Sequence, residues 1–316
     1  MIRFLSTAAC GCIVLAALGC TANIPGTGGP SATVIYAATS AGVSVSLTGG
    51  VSWTTQGLAA YAVNSVVAVS LGTSITVYAG TSNGLYATTD GSTWTPFTAI
   101  GSTAVYDVVV SGTYIYAATA GGLYTSSDGG TTWPPPLTLT ASLTSVFVSG
   151  TGSTATVFAT AAGASGGLWV SADGGSTWTS YSTSNGLVSN YVYSAFYDGA
   201  NVYVGTDQGI AETPYASLPA WTTTFNNTVS GFSASNTVNG VFVSGAAIYA
   251  CTGAGLSVFN GSTWTTYLGS TSVNSVFISG TYIYAATSTG VWISLTGGAS
   301  WTQGLAGIPV KSVAVE

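Results

Sequence analysis

The chain has 316 residues, 47% apolar and 12% aromatic, with 43 glycines, so it can bury a large core. Only 2 basic residues stand against 8 acidic ones, which removes the basic surface that binding phosphates requires and excludes a nucleic-acid partner. With no histidine, no thiol cluster and no run of spaced aspartates, neither a metal site nor a cofactor is expected.

The first twenty residues, "MIRFLSTAACGCIVLAALGC", place Arg3 before an apolar stretch that ends in small residues, which is the layout of a secretion signal. They resemble a bacterial lipoprotein signal, with Ala17, Leu18 and Gly19 preceding Cys20, although Leu is usual where Ala17 stands. The resemblance implies acylation of Cys20 and export to the cell envelope of a bacterium, on the outer membrane or cell surface. Membrane contact is then made through the lipid anchor only. An ordinary secretory peptide cleaved nearby is the alternative. Residues 21–31 follow as a flexible linker, and residues 32–316 form the folded body. Once the signal is set aside only Cys251 remains as a thiol, inside the apolar run "AIYACTG", where it reads as a small buried hydrophobe.

From residue 33 onward the chain repeats. Trp53, Trp94, Trp133, Trp178, Trp221, Trp264 and Trp301 end similar phrases at spacings of 41, 39, 45, 43, 43 and 37 residues. The grammar of each unit is clearest in "NSVFISGTYIYAATSTGVWISLTGGASWT", residues 274–302, where four short period-2 strands are joined by Gly-rich turns. Four strands per forty residues predict a β-propeller blade. A membrane barrel also alternates and lacks charge, but its strands are longer, about 9 to 11 residues. The repeats begin on a second strand at "TVIYAATSAG" and end on an unmatched first strand at "VKSVAVE", residues 310–316. The expected fold is therefore all-β, a seven-bladed propeller closed by its own C-terminal strand. Closure pairs the edges that an open stack would leave, and radial repetition leaves only short, protected outer edges; a monomer is expected.

The phrases "SSDGGTTW" at 126–133 and "SADGGSTW" at 171–178 resemble the S-x-D-x-G-x-T-W motif of the Asp-box, or BNR-repeat, propellers. "ATTDGSTW" at 87–94 keeps Asp90 and Trp94. "SLTGGVSW" and "SLTGGASW" replace the aspartate by Thr48 and Thr296, "FNGSTW" offers Asn260, and "YASLPAW" has decayed. Asp, Asn and Thr can all accept from backbone N–H groups two residues on, and Gly supplies positive φ. Asp90, Asp128 and Asp173 are thus assigned to turns, and Trp94, Trp133 and Trp178 to the wedges between blades.

The resemblance also brings enzymes into view. Sialidases of this type need an arginine triad, and the one arginine here is Arg3. Glycoside hydrolases that cleave xyloglucan use two carboxylates across a cleft, for which Asp107 and Asp207 are the candidates, with Glu212 a third acid to weigh. A glycoside hydrolase or lyase using Asp107 and Asp207 is the alternative. No nucleophile, base and orienting group assemble from the sequence, so no catalytic residue is assigned. The preferred reading is a non-catalytic binding or scaffold module meeting a glycan or envelope protein at the channel mouth. The residues that open each first strand ring that mouth: Asn64, Tyr106, Thr144, Tyr193, Asn239, Asn274 and Lys311, with Asp107 and Asp207 beside them.

Overall fold

The computed structural model describes residues 33–71, 74–137, 142–221 and 223–316. The signal at 1–20 with Cys20, and the linker at 21–31, lie outside the described residues. Seven antiparallel sheets follow one another around a ring. Blades 2 to 7 open on the inner strands Val63–Leu71, Val105–Ser111, Leu143–Ser149, Val192–Tyr197, Val238–Ser244 and Val273–Ser279. Blade 1 takes its inner strand, Val310–Val315, from the far end of the chain.

That closure is a full ladder. Ile35 faces Val315 and Ala37 faces Val313, and Val34 and Glu316 exchange backbone hydrogen bonds of 3.1 and 2.9 Å. Two sheet edges that would otherwise stand open are paired with each other.

Alternation along the strands is weaker than the sequence pattern implies. The second strand Tyr114–Thr119 is buried at every position after the first, and the third strand Gly42–Ser46 is buried throughout. Each blade lies between two others, so both faces of a strand near the axis are covered and apolar residues run continuously. The outer strands Thr54–Thr55 and Thr95–Pro96 lie at the flared rim and are exposed.

In blade 3 the described residues form three strands, with one bridge between Leu123 and Leu137 at the outer edge. Residues 134–136 are prolines, which have no N–H to donate to a ladder, so pairing resumes only at Leu137.

The Asp-box turns share one device, a side-chain oxygen that accepts from backbone N–H groups two to four residues on. In the phrase at 171–178, Asp173 Oδ1 accepts from the backbone N–H of Ser176 and Thr177 at 3.0 and 2.8 Å, and Ser171 Oγ accepts from Gly175 N at 2.8 Å. Thr48 and Thr296 do the same work with one oxygen, accepting from Ser52 N at 2.8 Å and Ser300 N at 2.9 Å. Asn260 accepts from Ser262 N and Thr263 N. The Thr177 hydroxyl and backbone hold the Asp173 carboxyl down at about 2, and the Thr132 backbone and hydroxyl do the same for Asp128.

The tryptophans that follow reach the preceding blade. Trp133 meets Phe97 edge-on at 5.6 Å between ring centres, Trp264 lies 5.3 Å from Phe225, and Trp94 donates to the carbonyl of Gln56 at 2.7 Å. Cys251 is buried in the core and forms no disulfide among the described residues.

Candidate functional site at the channel mouth

Every inner strand shifts its register against the second strand by one residue near its start. The extra residues are Asn64, Tyr106, Thr144, Tyr193, Asn239, Asn274 and Lys311, the same set that the sequence places at the rim. A bulge leaves its extra residue outside the ladder and re-aims its side chain, which is how one strand position becomes a rim position in all the blades.

Four of these side chains are already engaged. The amide nitrogens of Asn64, Asn239 and Asn274 donate to the carbonyls of Val105, Val273 and Val310 at 2.9, 2.9 and 2.6 Å. Thr144 donates its hydroxyl to Val192 O at 2.8 Å. Each acceptor sits on the inner strand of the following blade, just before that strand's bulge. These amide nitrogens are therefore taken up, because an inner-strand carbonyl facing the channel needs a donor and the amide is within reach.

The residue after each bulge forms a second ring: Ser65, Asp107, Ser145, Ser194, Gly240, Ser275 and Ser312. It caps N–H groups that the inner strands turn toward the axis, as Ser312 Oγ accepts from Val66 N at 2.9 Å. Asp107 is the carboxylate of this ring and is 2% exposed. Its Oδ1 accepts from Ser65 Oγ at 3.0 Å and Val108 N at 2.9 Å; its Oδ2 accepts from Ser145 Oγ at 2.8 Å and Val146 N at 3.0 Å. It thus ties blades 2, 3 and 4. Burial pushes its carboxyl up to about 6 against the pull of those four bonds. Although Asp107 sits beside the mouth, its side chain points inward after the bulge, where its neighbours are serines. Ser194, also fully buried, leaves its hydroxyl without a partner.

Asn64, Tyr106, Asp107, Thr144, Asn274 and Lys311 line one depression of about 200 Å³. Around the ring this is an unbroken arc over blades 7, 1, 2, 3 and 4. Tyr193, Asn239 and Asp207 fall outside it. Asp207 lies in the turn after the second strand of blade 5, where its N–H bonds Tyr191 O at 3.3 Å and its Oδ1 is buried without a partner. Its charge, after burial, raises the Tyr193 phenol. Asp107 therefore lines this depression and Asp207 does not.

Other groupings were not read from the sequence. Thr39, Thr81, Thr119, Thr206, Thr252 and Thr287 each close the turn between second and third strands by donating to a glycine carbonyl three residues on. The signal was present as a recurring T-x-x-G. On the Asp-box face, Tyr203 donates to Asp198 Oδ2 at 3.1 Å and pairs across the sheet with Glu212, whose carboxyl is raised by burial. A cleft of about 210 Å³ between blades 1 and 2 is lined in part by Tyr36, Leu47, Asp90 and Trp94.

A family model described as a DUF6242 beta propeller domain matches residues 49–201. The fold is a propeller. Among solved structures, the chain is similar to the extracellular domains of two B. thetaiotaomicron proteins described as hybrid two component systems. One shares 20% identity at a TM-score of 0.62, covering 76% of this chain and 34% of that one. The other shares 17% at 0.57, covering 76% and 32%. An ancestral GH74 enzyme shares 17% identity at 0.64, covering 88% of this chain and 44% of that chain. The chain spans about a third of the length of the two component system structures, and at these identities the likeness carries the fold alone. No curated protein matches the chain.

Proposed function

We propose that the chain is an exported Asp-box propeller, held on a bacterial envelope through Cys20, that binds a glycan or an envelope protein at its channel mouth without cleaving it. The observation that carries this reading is the state of Asp107. All four of its hydrogen bonds are intramolecular, two of them to backbone N–H groups that cannot turn away, so the carboxylate serves the inner ring rather than a substrate. A hydrolase of the retaining or inverting kind needs two carboxyl groups across one opening. The depression instead offers an exposed phenol, amides and one ammonium, groups suited to orienting a ligand. The likeness to extracellular propeller domains supports an exported location.

The test pairs a glycan-binding screen with a hydrolysis assay on the same glycans. Binding that Tyr106→Ala removes, with no turnover, is the expected result. Turnover lost in both Asp107→Asn and Asp207→Asn would establish the hydrolase instead. For the anchor, Cys20→Ser should release the protein from the membrane fraction; unchanged partitioning would sink the lipoprotein reading.

A further inference from the structure

Among the described residues Lys311 is the single Lys or Arg, in a chain of net charge −6. It stands exposed on the bulge of blade 1, at the lip of the depression, and no carboxylate among the described residues pairs with it. A lone ammonium in so acidic a chain would be expected to find an acid if position were indifferent. Its neighbours around the ring are instead Asn274 on blade 7 and Asn64 on blade 2.

Those two asparagines are fixed. Each donates its amide nitrogen to the following inner strand, and no described residue donates to the oxygen of either. The lip thus carries, in order, an acceptor, a cation and an acceptor, followed by the phenol ring of Tyr106, which is 39% exposed. Asp107 also lines the depression, but each of its oxygens already holds two donors, so it presents no open anion against Lys311.

Resting on the mouth as the binding face, we infer that it recognises a uronate sugar. The carboxylate meets the Lys311 ammonium as a charge-assisted pair. Ring hydroxyls donate to the oxygens of Asn64 and Asn274, and the C–H face of the pyranose lies on Tyr106. A peptide C-terminus also brings a carboxylate, but it has one N–H close by, whereas acceptors flank Lys311 on both sides. Hydroxyls on both sides of a carboxylate-bearing ring match that arrangement.

The experiment is calorimetric titration of the exported chain with galacturonate and glucuronate trisaccharides, their methyl esters, and an uncharged pentapeptide with a free carboxyl end. A free acid is expected to bind at least about tenfold more tightly than its ester, with a preference that weakens as salt rises. Lys311→Gln should remove the preference, Lys311→Arg should keep it, and neither should shift the melting temperature. Equal affinity for acid and ester, an unchanged preference in Lys311→Gln, or binding of the peptide alone would overturn the uronate assignment. Failure of both trisaccharides to bind would overturn it too. Equal affinity for acid and ester that Tyr106→Ala abolishes would leave the mouth as a binding face while refuting its carboxylate specificity. A glycan screen with no hit that depends on Tyr106 would refute the mouth itself.

Discussion

The hydroxyl of Ser145 donates to Oδ2 of Asp107 at 2.8 Å across the seam between blades 4 and 3. The neighbouring N–H of Val146 meets the same oxygen at 3.0 Å, so one carboxylate does for this seam what Ser312 does for the seam between blades 1 and 2.

That equivalence predicts how position 107 tolerates change. Asp107→Ser restores the residue that most other blades carry and should alter stability by less than about 1 kcal/mol. Asp107→Leu leaves the N–H groups of Val108 and Val146 buried without an acceptor, and should cost about 1–3 kcal/mol for each. Urea unfolding of both variants checks the ranking; a serine variant as unstable as the leucine one would mean the ring positions are not interchangeable.

Stability should depend on pH in two opposite steps. Asp128 and Asp173 titrate at about 2 when folded, below the ordinary 3.8, so their contribution is present above about pH 4 and disappears as pH falls toward 2. Asp107 is raised from 3.8 to about 6, so between those values the folded chain holds a proton that the unfolded chain has lost. Its contribution is complete below pH 4 and is lost as pH rises to 6. Glu212 and Glu316, raised by burial, act with the same sign. Melting temperatures from pH 2 to 8 should climb, then decline. In Asp107→Ser the decline should shrink, and an identical decline in the variant would show that Asp107 titrates normally.

The box turns accept a neutral oxygen. Asp173→Thr should keep most of the stability that Asp173→Ala loses, since Thr48 and Thr296 already hold the N–H four residues on. Trp178→Ala removes a wedge against the core and should cost about 3–5 kcal/mol. Thermal unfolding of the three variants tests this; equal losses for threonine and alanine at 173 would assign the role to charge rather than to acceptor geometry.

Deleting residues 310–316 should unmake the ring. The strand Ile35–Thr39 and the inner strand of blade 2 would each lose a neighbour, leaving a long apolar edge. Size-exclusion chromatography should find association or aggregation, and a well-folded monomer after the deletion would contradict closure by this strand.

The blade count and the box turns were legible because each depends on residues within about ten positions of one another, such as Ser171, Asp173 and Gly175. In the third blade the run "PPP" at 134–136 delays the outer pairing to Leu137, a reason carried in the sequence itself. The partners of the bulge residues and of Asp107 were not legible. The acceptor for Asn64 is Val105 and the partner of Asp107 is Ser145, 41 and 38 residues away. No local pattern records such a distance.

The sequence by itself determined the repeat, the four-strand grammar and the closure of the ring, because turn chemistry and strand period are properties of short segments. Only the tertiary structure decided which scarce charges are displayed. Packing seven blades about one axis turns every inner strand toward the same narrow space, where backbone groups need partners. Asp107 is consumed by that need and Lys311, one residue earlier in its own blade's register, is left facing outward.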